Sequence, residues 1–402
     1  MSRKPKKFAS FFIAVGLSFL PACGGGSTGS STPGFSFSFE VLHSFVGADG
    51  AVPEGGVVLD PQGNIYGTTY QGGPASAGVV FKLDPTGSET VLYAFQNGAD
   101  GGAPSADLVR DEAGNLYGTA AGSGAFGCGV VFEVDPATGK ETVLYAFTCG
   151  NDGENPHGGV IRDSTGNLYG TTEHGGSGGD GDGTVFRLDT AGNITVLHSF
   201  SGPDGNEPFG DLAQDATGNL YGVTIFGGNS AGPCLPLGGC GVIYKIDTMG
   251  NFSLLHVFSG PDGSTPSAGV TLDSAGNLYG TASRGGQGVD SGAGVIFKID
   301  AAGNETTLYA FAGGPDGAYP LGPVVLDGAG NLYGTANSGG DAPWPFGDGV
   351  VFMLDVTGKE TVLHTFSGPD GEPIGTLARD SAGHLYGTAG GGSEGLGVVF
   401  KL

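Results

Sequence analysis

"GNLYGT" stands at residues 114–119, and the frame around it, G-[NH]-[LI]-Y-G, occurs seven times. The seven tyrosines are Tyr66, Tyr117, Tyr169, Tyr221, Tyr279, Tyr333 and Tyr386, at spacings of 51, 52, 52, 58, 54 and 53 residues. Around each tyrosine lie four short apolar runs. In the second unit they are ADLVR (106–110), NLYGT (115–119), GVVFEV (129–134) and ETVLYAF (141–147), here called a, b, c and d. Each has the length and the β-branched and aromatic content of a strand, bounded by turn residues. The 402-residue chain contains 84 Gly, a fraction that by itself suggests disorder. Its alternation with these runs indicates many strands and tight turns instead.

The links define the unit. Runs a and b are joined by D-x-x-G, as in residues 111–114, and runs c and d likewise, as in residues 84–87. Asp first and Gly fourth suit a type I turn closed by a left-handed residue, the chemistry of a tight hairpin. Each Asp is expected to cap its own turn rather than bind a metal. The b–c links are longer and variable, and the d–a links carry Asp-Gly followed by Pro. A four-strand antiparallel unit repeated seven times predicts an all-β, seven-bladed β-propeller. A parallel β-helix is the rival, but it needs polar end caps, and the terminal units here resemble the middle ones. The chain starts with an orphan d run (39–45) and stops after a c run. The N-terminal strand is therefore expected to complete the last blade and close the ring. The Gly after each Tyr is expected to leave room for an aromatic ring.

Residues 1–22 read as a secretory signal: Arg3, Lys4, Lys6 and Lys7 precede an apolar run over 8–20, too short to span a bilayer. The sequence LPAC at 20–23 resembles a bacterial lipobox, which implies cleavage before Cys23 and a lipid on that cysteine. An ordinary signal peptide cut nearby is the alternative. Residues 23–36 read as a Gly/Ser tether reaching roughly 20 Å, and residues 37–402 as the propeller. Loss of the signal's four cations leaves 11 Lys and Arg against 40 Asp and Glu, a net charge of −29. That surface repels phosphate backbones and argues against nucleic acid. A monomer in the bacterial cell envelope is expected, touching membrane only through its anchor. The even set Cys128, Cys149, Cys234 and Cys240 favours disulfides in an exported protein. Cys128 and Cys149 flank one c–d hairpin, while Cys234 and Cys240 bracket a short insertion, giving the expected pairs 128–149 and 234–240.

The motifs GNLYGTT, GVVFKLD and ETVLYAF, with Asp-Gly before Pro, resemble those of the GloVer (Gloeo-Verruco) tandem-repeat bacterial surface proteins, whose anchoring signals vary. The resemblance covers residues 37–402 and implies an exported, anchored protein, without an activity or catalytic residues to carry over. The D-x-x-G-N-L-Y core is also similar to the NHL-type repeat of other propellers at the level of blade construction.

Chemistry is sparse. There is no H-E-x-x-H, C-x-x-C or phosphate loop, and the G-x-S-x-G match at 175–179 lies in a glycine-rich link rather than at a strand-to-helix turn. Asp180 and Asp182 are spaced to share a calcium ion but have few neighbouring acids. His43, His198, His256 and His364 replace Tyr in d runs and read as packing. His157, His174 and Glu173 fall together in the third unit as a candidate small site. In a blade, a–b and c–d turns share one face, and b–c and d–a links share the other. The second face carries the variety: Tyr70, Phe126, His157, Glu173, His174, Phe226, Arg284, Tyr319, Trp344 and Phe346. Two functions stand: a surface module binding a glycan or protein on that face, or an exported enzyme acting on polysaccharide at the central channel. Binding is favoured because no unit adds a clear acid/base pair.

Overall fold

A computed structural model describes residues 37–402 except 178–180, 229–233, 235–237, 287–291 and 341–346. It contains seven four-stranded antiparallel sheets. Six are built in chain order; blade 2, for example, runs Val109–Arg110, Leu116–Ala120, Val130–Asp135 and Lys140–Ala146. The seventh takes Ala378–Arg379, Leu385–Ala389 and Val398–Lys401 from the C-terminus and Glu40–Ser44 from the N-terminus, with Glu40 paired to Lys401. Among the described residues the only helix is a single 3-10 turn, and no helix is long and apolar enough to cross a membrane.

The repeated hexapeptide forms the end of the a–b turn and most of strand b. Tyr66 donates its hydroxyl to Asp60 at 3.1 Å, and the same Tyr–Asp bond recurs in every unit, for example Tyr221 to Asp215 at 3.0 Å. The same aspartates accept the turn's own N–H groups, as Asp60 does from Gln62 and Asn64. They are structural caps, as expected. Tyr66 of blade 1 and Leu116 of blade 2 share one buried cluster, so the motif packs each blade on the next.

The glycine of the motif makes a hole. A Cβ on Gly118 would lie 2.7 Å from Phe132 Cζ and 2.8 Å from Leu108 Cδ2. Phe132 is its cross-strand partner on strand c. That ring, pressed over the glycine, meets Phe95 from the preceding blade edge-on at 5.1 Å. Phe45 meets Phe81 in the same way at 5.2 Å, which joins blade 7 to blade 1. The Tyr and His of run d hold the Asp of the following link: Tyr145–Asp152 at 2.9 Å and His198–Asp204 at 2.8 Å are equivalent contacts.

Strand a differs from expectation. Instead of five residues, its ladder spans two in six blades, and in blade 4 it spans nine, Asn206–Gln214, with a register shift. Proline opens each a run, with glycine in six of the seven, and this part packs closely on neighbouring blades. A Cβ on Gly55 would sit 2.6 Å from Ala106 O of blade 2, and one on Gly375 would sit 2.6 Å from Gly55 O of blade 1. Side chains satisfy the backbone across the gap, as Thr388 does by donating to Gly55 O at 2.9 Å. The a segments are therefore the inner wall, and run d is the outer strand.

Both cysteine pairs are disulfides, with Cα separations of 5.4 Å for 128–149 and 5.2 Å for 234–240. The first closes 21 residues, so replacing both its cysteines with serine is expected to cost about 3 kcal/mol of stability, measurable by urea unfolding. Deleting residues 37–45 removes the outer strand of blade 7 and Phe45. The expected result is a lower melting temperature and concentration-dependent aggregation in light scattering, because an edge strand is exposed; an unchanged monomer would contradict closure by this strand.

Candidate functional site

The b–c/d–a face is built on one backbone frame. Each d–a link ends in Pro, and in six blades the preceding residue is left-handed: Val52, Ala103, Asn155, Glu207, Thr265 and Tyr319 have φ between 52° and 57°. None is glycine, so each position carries a cost of order 1–3 kcal/mol that surrounding bonds must offset. Asn155 N donates to Cys128 O at 3.0 Å, and its carbonyl accepts from Glu173 N at 2.9 Å. Val52 is held alike between Leu396 O and Tyr70 N, and Tyr319 between Ala293 O and Asn337 N. The residues just before them pair across the face too, as in Glu154 with His174 and Ser264 with Arg284. The backbone is thus fixed at equivalent points round the ring while the side chains differ.

Titratable side chains gather on this face at blades 3 and 4. His157 follows Pro156; its Nε2 lies 3.3 Å from Glu173 Oε2 and its Nδ1 3.3 Å from Ser105 Oγ. The ring stacks on Phe209 of blade 4 at 5.4 Å. Burial, helped by nearby His174, pushes its pKa down to about 4, so the ring is neutral at neutral pH. Its Nε2 faces the Glu173 carboxylate and its Nδ1 the Ser105 hydroxyl. Glu173, His174 and Glu207 bring one ligand-type atom each within 4.8 Å of one another. Burial raises both glutamates; the charge of His174 opposes this, and neighbouring acids add to it. The sequence grouping of His157, Glu173 and His174 is therefore a spatial one. Glu207 was missed because it enters from the next blade, in the residue before Pro208.

A second feature was also missed. Asp107 and Asp211 lie on the inner wall, where the carboxylate of Asp107 accepts from Gly56 N of blade 1 at 2.5 Å and that of Asp211 from Gly159 N of blade 3 at 2.6 Å. Burial raises both carboxyls, and the charge of Asp107 raises Asp211 further. The signal was present: the third residue after the link Pro is Gly56, Gly159, Gly269, Pro323 or Thr376 in the other units, and these two are the only carboxylates in that column.

The other candidates scatter. Arg284 lies over the Tyr319 ring at 5.6 Å, between blades 5 and 6. Phe126 is 60% exposed, whereas Tyr70 and Phe226 are half-buried. Asp182 is close enough to Glu207 to raise it, and its carbonyl accepts from Glu207 N at 3.0 Å. Cys23, Asp180, Trp344 and Phe346 lie outside the described residues.

The Gloeobacter/Verrucomicrobia repeat model matches residues 23–235 and again 236–402. The chain belongs to that family. No curated protein matches it by sequence. Among solved structures it is similar to the extracellular domain of a proposed hybrid two-component system from B. thetaiotaomicron: TM-score 0.55, 12% identity, covering 90% of this chain and 39% of that one. PorZ, a surface component of the type-IX secretion system of Porphyromonas gingivalis, gives 0.50 at 16% identity, covering 86% and 46%. A gluconolactonase from Xanthomonas campestris gives 0.45 at 14%, covering 90% and 88%. Identities this low carry the fold alone.

The pKa shifts set the pH response. Burial raises Glu54, Glu89, Glu141 and Glu360 from 4.5 to about 7, with Asp49, Asp100 and Asp316 adding to the last three. A carboxyl raised on folding stabilises the fold fully below about 4.5, and that contribution is lost as pH rises to about 7. His157 acts oppositely, losing stability as pH falls from 6.5 towards 4. Burial would raise Asp163, but hydrogen bonds from Asn167 and Thr165 outweigh it and hold it at about 2, so its contribution fails only in stronger acid. Four groups outweigh one. The melting temperature is expected to be higher at about pH 5 than at about pH 7.5 by calorimetry, and Glu54→Gln should flatten the difference.

Proposed function

We propose that the protein is an exported surface module, tethered through lipid on Cys23, that binds a glycan or protein on the b–c/d–a face. The two disulfides agree with a compartment outside the cytosol. The observation that carries the binding reading is the frame itself: one pinned backbone offers Val52, Asn155, Glu207, Thr265 and Tyr319 at equivalent points. The opposite face repeats D-x-x-G turns whose carboxylates are taken up by their own turns. A rigid frame limits the entropy lost on binding, and exposed aromatics such as Phe126 suit stacking on a sugar or anchoring a protein.

An exported enzyme is the second reading, and the raised pair Asp107 and Asp211 is the observation in its favour. Incubating labelled exported protein with cellulose, chitin and peptidoglycan, and with solubilised envelope proteins, separates the two. Under the binding reading the protein is retained, without release of sugar, and Trp344→Ala or Phe126→Ala cuts retention about tenfold at an unchanged melting temperature. Release of reducing sugar that Asp211→Asn abolishes would replace that reading with the enzymatic one. Separately, Cys23→Ala is expected to move the protein from the membrane fraction to the soluble one.

A further inference from the structure

We propose that Glu173, His174 and Glu207 form a binding site for a borderline divalent cation, zinc or manganese, at the seam between blades 3 and 4. The site stands independently of the glycan or protein reading above. Three observations carry it.

The first is the donor set. One imidazole nitrogen and two carboxylate oxygens converge within 4.8 Å, from the end of strand b in blade 3 and the link entering blade 4. In a tetrahedron of ~2.1 Å bonds the donors sit roughly 3.4 Å apart, which side-chain rotation of two glutamates can reach. Imidazole with carboxylate suits zinc or manganese, whereas calcium takes oxygen ligands. Three protein ligands leave a coordination position open towards the variable face.

The second is the support. His157 sets its Nε2 3.3 Å from Glu173 Oε2 and is itself held by Ser105, an outer polar contact of the kind that orients a ligating carboxylate. Glu207 is held by its own N–H on Asp182 O.

The third is that packing does not require these residues. The frame has an equivalent seat at every seam, formed by two residues ending strand b and the residue before the next Pro. Between blades 5 and 6 that seat holds Ser283, Arg284 and Tyr319, with Arg284 on the Tyr319 ring. Between blades 6 and 7 Asn337 bonds Glu372. Between blades 1 and 2 it holds Tyr70, Gln71 and Ala103. Only the seat between blades 3 and 4 collects three residues of ligating type. The two other such clusters among the described residues have structural explanations. His256, Asp262 and Glu305 include the His–Asp contact repeated on run d, and Cys128 and Cys149 are joined by a disulfide.

The test uses exported protein stripped with EDTA and desalted, titrated calorimetrically with zinc, manganese and calcium chlorides. One zinc or manganese ion per chain is expected, with calcium far weaker, and a melting temperature raised by several degrees at roughly a hundredfold excess over Kd. Glu207→Gln and His174→Ala should each weaken binding at least tenfold, and His157→Ala by about tenfold, as for an orienting partner. Glu372→Gln, the equivalent glutamate at the seam of blades 6 and 7, should change nothing. Melting in EDTA checks that each variant is folded. No uptake by folded parent protein, or equal uptake by Glu207→Gln, would overturn the site. Neither result bears on retention by polysaccharide or envelope protein.

Discussion

The contact on which the molecule depends is an aromatic ring laid over a missing side chain. Strand b keeps glycine opposite the strand-c aromatic, and that ring receives a phenylalanine from the preceding blade. Each such edge-on pair is worth ~0.5–1.5 kcal/mol beyond its burial. No Cβ fits at the glycine without displacing the ring. The contact belongs to no single blade, since its members come from two sheets. A lone four-stranded sheet would leave both faces exposed. The ring must therefore close, and Phe45, carried by the N-terminal strand, supplies the last pair.

Closure fixes the faces, and the faces divide the work. One is made of turns whose aspartates serve their own N–H groups and the motif tyrosines. The other is made of links whose backbone is strained before the proline in six of the seven blades and held there by hydrogen bonds. Strain of this kind persists only where neighbouring structure over-determines it. Once the frame is held, side chains upon it are free to vary without loss of fold. Differences among seams therefore report on binding or chemistry more directly than differences within strands do.

What the sequence made legible follows from locality. Turn chemistry, hairpins, the missing c–d turn and both cysteine pairs depend on residues close in the chain or related by the repeat. So does the exchange of Tyr for His in run d, since either side chain reaches the same link aspartate. Strand a was overestimated because its apolar residues suggested a ladder, whereas its proline and glycine instead let blades approach at the axis. Asp107, Asp211 and Glu207 were passed over because their partners lie one blade away. Aligning the seven units column by column marks the first two as the only carboxylates in their column. The meaning of Glu207 emerges only when the end of strand b in one unit is compared with the pre-proline residue of the next.

That offset is the general lesson of a ring built from tandem units. The sequence repeat begins and ends within a unit, but the recognition seat is shared between units, as Arg284 on Tyr319 and Glu173 beside Glu207 both show. A substitution in one blade therefore changes the chemistry of a seat whose other half lies about thirty-five residues away. Charge sharpens the point. In a chain of net charge −25, carboxylates set close together on a dry seam repel one another and are driven towards protonation. Such a grouping is relieved by protonation or by a positive partner, and at blades 3 and 4 the seat has the donors to recruit a cation.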